Sequence, residues 1–269
     1  METLVDALPP APDPVLTVEN LTVVRGGKKV VQGIDFQLKR GEVFGLIGPN
    51  GAGKSSTIGG LLGLHPLDDG AIIVDGQRFG RGRTLPVSLR RRIAYIPEQP
   101  MYYPDLTLRE HLEWKQRLWN MVERSEWDQR IQELVDDFQL LPHMDKLPHE
   151  CSKGTLQKLM IVSALFVPFD ILIVDEPFVG LDVISIRKLR ERMERVRAEG
   201  AALLVSTHVL DSAERMCHRF GFMMNGRLFA QGTLADLRSM AGNVGTSLED
   251  IFIHMFEAIG GYSVGHEDA

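Results

Sequence analysis

The chain reads as an α/β protein with a mixed β-sheet core, an antiparallel β sub-domain and a helical insert. Three observations predict this. First, the apolar run Val43-Phe44-Gly45-Leu46-Ile47 reads as a buried strand. It leads into Gly48-Pro49-Asn50-Gly51-Ala52-Gly53-Lys54-Ser55-Ser56 and then a helical stretch, Thr57 to Leu64. Second, Ile171-Leu172-Ile173-Val174 is a continuous apolar run of the kind buried on both faces of a parallel sheet. Third, the residues between these runs, about 99–166, are largely helical in pattern.

Taken in order, residues 1–14 are acidic and Pro-rich and read as a disordered leader. Val15 to Val24 and Val30 to Leu38 alternate apolar and polar residues and read as antiparallel strands joined at Gly26-Gly27. Asp69-Gly70 and Asp75-Gly76 are turn signals bracketing a short strand, Ala71 to Val74. Six arginines between Arg78 and Arg92 read as a solvated face. Ile93 to Pro97 reads as a strand. Thr107 with Glu110 forms a capping box, which starts a helix carrying Leu108, Leu112, Leu118 and Met121. Further helices are expected over Ser125 to Phe138 and from Ser152.

Beyond the second apolar run, Ile184 to Glu199 is a charged amphipathic helix, Ala201 to Ser206 a buried strand and Leu210 to Cys217 a helix. Asn225-Gly226 between Phe220–Met224 and Arg227–Gln231 is a hairpin signal. Leu234 to Met240 and Ser247 to Ile259 read as helices, with a loop at Ala241 to Gly245 and a frayed tail from Gly260. The domain reading is a main domain over 15–240, with its helical sub-domain at about 99–166, then a C-terminal helix and tail over 241–269.

Composition narrows the function. A net charge of −6 speaks against a nucleic-acid binder, which shows a basic balance or stripe. Cys151 and Cys217 form no C-x-x-C pair, so a reducing compartment is expected. No apolar run reaches the ~18 residues of a spanning helix, so the chain is not expected to cross a membrane by itself.

The chemistry starts at Gly48 to Ser56. A strand, then G-x-x-x-x-G-K-S, then a helix forms a P-loop. Its glycines curl the backbone so that several N–H groups face one anion, and the helix adds its positive end. Lys54 supplies a point charge for the outer phosphates and Ser55 a hydroxyl for magnesium. Asp175-Glu176 closes the second apolar run, where α/β sheets place ligands. One carboxylate there suits magnesium, the other a proton taken from water. His208 ends the next buried strand and is placed to meet a γ-phosphate.

The order of P-loop, helical insert, Cys151-Ser152-Lys153-Gly154-Thr155-Leu156-Gln157, Ile171 to Pro177, Gly180-Leu181-Asp182 and Ser206-Thr207-His208 resembles the ATP-binding subunit of ABC transporters, P-loop NTPases of ABC type. The signature with Lys153-Gly154, with Thr207 to Leu210 and Ala213-Glu214-Arg215, looks most like the Ecs-type branch of bacterial exporters. The resemblance implies an ATPase using ATP and Mg2+, working as a dimer at the cytoplasmic face of the cell membrane. Its partners are a second nucleotide-binding subunit, expected as a homodimer, and a separate transmembrane permease.

By this resemblance Gly48, Pro49, Asn50, Gly51, Ala52, Gly53, Lys54, Ser55 and Ser56 hold the phosphates. Ser55 and Asp175 serve magnesium, Glu176 is the general base, and His208 contacts the γ-phosphate. Ser152, Lys153 and Gly154 of the signature, with Asp182 of the D-loop, face an ATP held by the other subunit. Ser152 alone also reads as an ordinary helix cap. The chain departs from the family in having Arg25 where an aromatic residue stacks on adenine; a guanidinium also stacks on a base. Glu98 replaces the usual glutamine, with Gln99 one residue late, and a carboxylate there can still reach magnesium. Met101, Tyr102, Tyr103 and Leu106 either pack internally or anchor the permease. A soluble ABC-type ATPase acting in translation or assembly is the rival reading; a single cassette and the acidic charge speak against it.

Overall fold

The computed structural model describes residues 14–82, 85–119 and 125–259. In chain order the strands are β1 (Pro14–Arg25), β2 (Lys28–Lys39), β3 (Val43–Ile47), β4 (Leu67–Val74), β5 (Gln77–Gly80), β6 (Ile93–Ile96), β7 (Ile171–Asp175), β8 (Ala202–Thr207), β9 (Arg219–Met224) and β10 (Arg227–Gly232). The helices are α1 (Lys54–Leu61), α2 (Val87–Arg90), α3 (Leu108–Leu118), α4 (Ser125–Asp137), α5 (Lys153–Leu165), α6 (Val183–Ala198), α7 (Leu210–Met216), α8 (Leu234–Met240) and α9 (Leu248–Ala258). Among the described residues no helix is long and apolar enough to cross a membrane.

The strands make two sheets. One is antiparallel, ordered β2-β1-β4-β5. The other is ordered β10-β9-β3-β8-β7-β6 and is parallel except for β10. In its centre every residue of β3, β7 and β8 is buried. Side chains alternate across the pleat. Phe44, Leu46, Ile171, Ile173, Ala202 and Leu204 therefore join the core shared with the antiparallel sheet. Val43, Ile47, Leu172, Val174, Leu203 and Val205 join the core beneath the helices. That two-sided burial is why these strands are continuous apolar runs.

The capping box at Thr107 forms as expected: Glu110 N–H donates to Thr107 Oγ1, and Thr107 N–H to Glu110 Oε2. Both central residues of the Asn225-Gly226 turn have positive φ, 49° and 78°, as a tight hairpin requires. Three expectations change. α1 starts at Lys54 rather than Thr57, because the P-loop itself winds into the helix. Asp69-Gly70 is not a turn but lies inside β4, where β1 shifts register between Glu19 and Thr22. Leu118 is exposed rather than buried. Arg78, Arg81, Arg90 and Arg91 are exposed, as a solvated face requires, whereas Arg92 is half-buried and paired with Asp75 and Asp170. Arg83, Met121, the leader through residue 13 and the tail from Gly260 lie outside the described residues.

Candidate functional site

Gly53 stands at the N-cap of α1 with φ 108°. That conformation suits glycine, and a Cβ there would lie 2.6 Å from Val30 O. The turn aims the first N–H groups of α1 out of the helix end, the arrangement that binds anions. Lys54 follows and is buried, its Nζ donating to Gly48 O at 2.7 Å and Pro49 O at 3.3 Å. Its side chain thus folds back across the loop, while Ser55 beside it is exposed.

The second half of the site comes from parallel β7 and β8. Their register sets Asp175 opposite Ser206. Ser206 Oγ donates to Asp175 Oδ1 at 2.6 Å, and Glu176 N–H donates to Ser206 O at 2.9 Å. Glu176 has φ 48°, rare for a residue with a side chain. Its carboxylate accepts from Thr207 Oγ1 at 3.1 Å and from His208 Nδ1 at 2.8 Å. Lys54 Nζ lies 3.8 Å from the same oxygen that His208 meets. The P-loop lysine, the carboxylate pair and the histidine therefore form one cluster. Burial holds the Lys54 ammonium below the ordinary lysine range, against the pull of Glu176, Asp175 and Glu98. Tyr95, on β6, is pushed above the ordinary phenol range by burial and by facing Asp175 and Glu98.

Glu98 is half-buried and within electrostatic reach of Lys54, whereas Gln99 is exposed. The residue at the usual glutamine position, Glu98, is thus the one within reach of the cluster. Arg25 is exposed at the end of β1, paired in register with Lys28 across the hairpin.

The signature residues form a separate group. Ser152 caps α5, accepting from Thr155 N–H at 3.1 Å. A Cβ on Gly154 would lie 2.8 Å from Gly180 O, so α5 starts hard against the D-loop. Asp182 caps α6, accepting from Ser185 N–H at 2.8 Å, and pairs with Lys158 of α5 at 2.8 Å. These bonds hold the Asp182 carboxyl well below the usual range, Lys158 first among them. Lys153 is exposed at the first turn of α5.

Several residues that shape the site were not singled out for it from sequence. Ser206 and Thr207 fix the two carboxylates, and Gln157 Nε2 donates to Pro97 O at 2.8 Å, tying α5 to the segment bearing Glu98. The roles of Ser206 and Thr207 follow from the pairing of β7 with β8, which sets strand-end neighbours side by side, and that of Gln157 from the packing of α5 against the segment after β6. Met101, Tyr102 and Tyr103 are 59%, 44% and 51% exposed, and Leu106 is half-buried. Tyr103 packs edge-on to Trp114, with ring centroids 5.0 Å apart.

A phosphate cradle at a helix start, a lysine folded across it and a carboxylate pair on the adjacent buried sheet define a P-loop nucleoside triphosphatase. The family model described as ABC transporter matches residues 31–179. The ABC-type transporter ATP-binding protein EcsA of Bacillus subtilis (strain 168) is 36% identical over 253 residues, 94% of this chain and 99% of that protein. The linearmycin resistance ATP-binding protein LnrL of Bacillus subtilis (strain 168) is 33% identical over 228 residues, 85% of this chain and 72% of that protein. A solved structure of an ATP-binding subunit of an ABC transporter superposes with TM-score 0.83 at 41% identity, covering 90% of this chain and 99% of that one. The chain belongs to the ABC transporter family, as an ATP-binding subunit that hydrolyses ATP.

Proposed function

We propose that this subunit hydrolyses Mg-ATP between two copies of itself and drives export through a separate transmembrane chain. The observation that carries this reading is the shared Glu176 oxygen, which both His208 and Lys54 approach. Lys54 and His208 are the two groups that the family resemblance assigns to phosphate. Before nucleotide arrives they engage the carboxylate. ATP draws both toward its outer phosphates, which leaves Glu176 free to take a proton from water. Thr207 keeps the carboxylate oriented throughout.

The donors present fit magnesium, a hard cation that prefers oxygen ligands and is usually held by one or two carboxylates plus substrate phosphates. Ser55 Oγ and Asp175 would hold it, with Glu98 in reserve across the site. When bound, it neutralises charge on the β- and γ-phosphates. Ser206 keeps Asp175 aimed by donating to it.

Ser152, Lys153 and Gly154 lie at the start of α5, with the D-loop beside them, and serve the ATP of a second copy. A twofold pair then buries two nucleotides between reciprocal surfaces. ATP-binding subunits of this family dimerise and pair with membrane subunits. For the permease we assign the segment Pro100 to Leu108, whose Met101, Tyr102 and Tyr103 turn outward as anchors. On this reading the subunit works at the cytoplasmic face of the membrane and takes no nucleic acid.

The test is purification of Glu176→Gln from gently solubilised membranes with ATP. A polytopic membrane protein in stoichiometric amount supports the proposal. Recovery with only soluble proteins, ribosomes or nucleic acid overturns the export reading in favour of an ABC-type ATPase with a soluble partner.

A further inference from the structure

Away from the phosphate cradle, where β3 and β9 begin and α6 and α7 end, lies a cavity of about 370 Å³. That volume is within the range of small-molecule sites. Val43, Met193, Met216 and Cys217 give it an apolar lining. Three arginines, Arg190, Arg197 and Arg215, contribute to its wall beside the single carboxylate of Glu194.

The three arginines are not equivalent. Arg197 is committed, with two bonds to Glu194 and one to Gly41 O. Arg215 pairs with Asp211 one turn away, an exposed pair easily exchanged with water. Arg190 differs: its Nε is buried and has no hydrogen-bond partner among the described residues. A buried N–H without an acceptor is a cost that an incoming acceptor removes. His218 adds a donor: its Nδ1 accepts from Val43 N–H at 3.2 Å, so the neutral ring carries its proton on Nε2.

We propose that this cavity is a binding site for a small amphipathic carboxylate, its head on Arg190 and its apolar tail against Met193 and Met216. A single negative charge fits better than a phosphate dianion. The carbonyl ends of α6 and α7 each bring about half a negative charge to this region, which offsets part of the guanidinium excess. The volume admits a head and a short chain, so the ligand is a free solute rather than a bilayer lipid. Cys217 serves as apolar lining rather than as a nucleophile, because burial pushes its thiol up to about 12.

The site has a route to the catalytic cluster. The Arg190 guanidinium lies 4.8 Å over the Phe178 ring. Phe178 stands two residues after Glu176, and its carbonyl accepts from Leu181 N–H beside the D-loop. A carboxylate that draws Arg190 toward the cavity loosens this stack, so occupancy alters the rate of ATP hydrolysis.

The experiment titrates octanoate, and separately octanol, into the full chain by calorimetry and by heteronuclear NMR. Arg190→Gln and the cavity-filling Met193→Trp are run beside it. Both variants are first checked for folding by circular dichroism and for a melting temperature raised by ATP; if Met193→Trp fails, Arg190→Gln alone decides. The expected result is saturable one-to-one binding of octanoate, at least tenfold weaker in Arg190→Gln and lost in Met193→Trp, with shifts at Phe178. Equal binding of octanol overturns the carboxylate assignment. Absence of saturable octanoate binding, or binding unchanged in Arg190→Gln, overturns the site.

Discussion

His208 Nδ1 and Glu176 Oε1 are 2.8 Å apart, and the carboxylate is buried while the imidazole is nearly half exposed. The pair therefore bridges the interior and the face where nucleotide arrives. Lys54 approaches the same oxygen from the P-loop side. On the proposed function, Glu176 becomes a free base only when Lys54 and His208 are both drawn elsewhere, which would link catalysis to occupancy.

Glu176→Gln keeps the shape and removes the proton acceptor. The steady-state ATPase rate is expected to fall by about 10²–10⁴-fold. Nucleotide affinity should survive. A melting temperature still raised by Mg-ATP checks the second half, since saturation at 100 times Kd adds about 2.7 kcal/mol.

Lys54→Met is the complement. It removes the charge that crosses the cradle and leaves Gly48 O without its 2.7 Å donor. ATP should no longer raise the melting temperature, and hydrolysis should be undetectable. A variant that still binds ATP as tightly as the parent would remove Lys54 from the site.

Gly154→Val places a branched side chain where even a Cβ would lie 2.8 Å from Gly180 O. The start of α5 must then back away from the D-loop. ATP binding by the single subunit should persist, while ATP-dependent dimerisation in a Glu176→Gln background is lost. Light scattering with and without ATP reads both states.

Asp182→Asn tests the Lys158 pair through pH. Asp182 is held below the usual carboxylate range in the folded protein. Its stabilisation is therefore full above the ordinary pKa of about 3.9 and is lost as pH falls below it. The carboxylate side chain is 52% exposed, so the effect is discounted to about 0.2–1 kcal/mol. Melting curves of parent and variant should differ at neutral pH and converge on acidification. A constant difference across pH would show that the charge of the Asp182 carboxylate contributes nothing to it.

The parts of the fold legible from sequence were those with local signals. β3, β7 and β8 announced themselves as apolar runs because both faces are buried, and Thr107 with Glu110 marked the start of α3. Asp69-Gly70 misled because a turn dipeptide also suits a strand irregularity, and only the partner strand β1 decides between them. At the site, Lys54, Asp175, Glu176 and His208 carry chemistry in their side-chain types and could be named in advance. Ser206, Thr207 and Gln157 could not be assigned in this way. Their contribution is a hydrogen bond across a ladder or between elements, which depends on three-dimensional pairing rather than spacing.

The back of the phosphate loop is made by a distant part of the chain. Gly226 N–H donates to Ala52 O at 2.8 Å, and Gln32 N–H donates to Gly226 O at 2.8 Å. The β9–β10 turn thus clamps the loop against the first hairpin, about 170 residues downstream of the glycines it supports. On the ribosome those residues emerge in order, at roughly 5–20 per second. For some ten to thirty seconds the nascent chain displays a complete phosphate-binding motif that lacks its rear wall. Nucleotide capture is therefore expected to wait until residue 226 has been made, and a chain truncated before Gly226 is expected to bind ATP more weakly than the full chain, which a titration of the two would check.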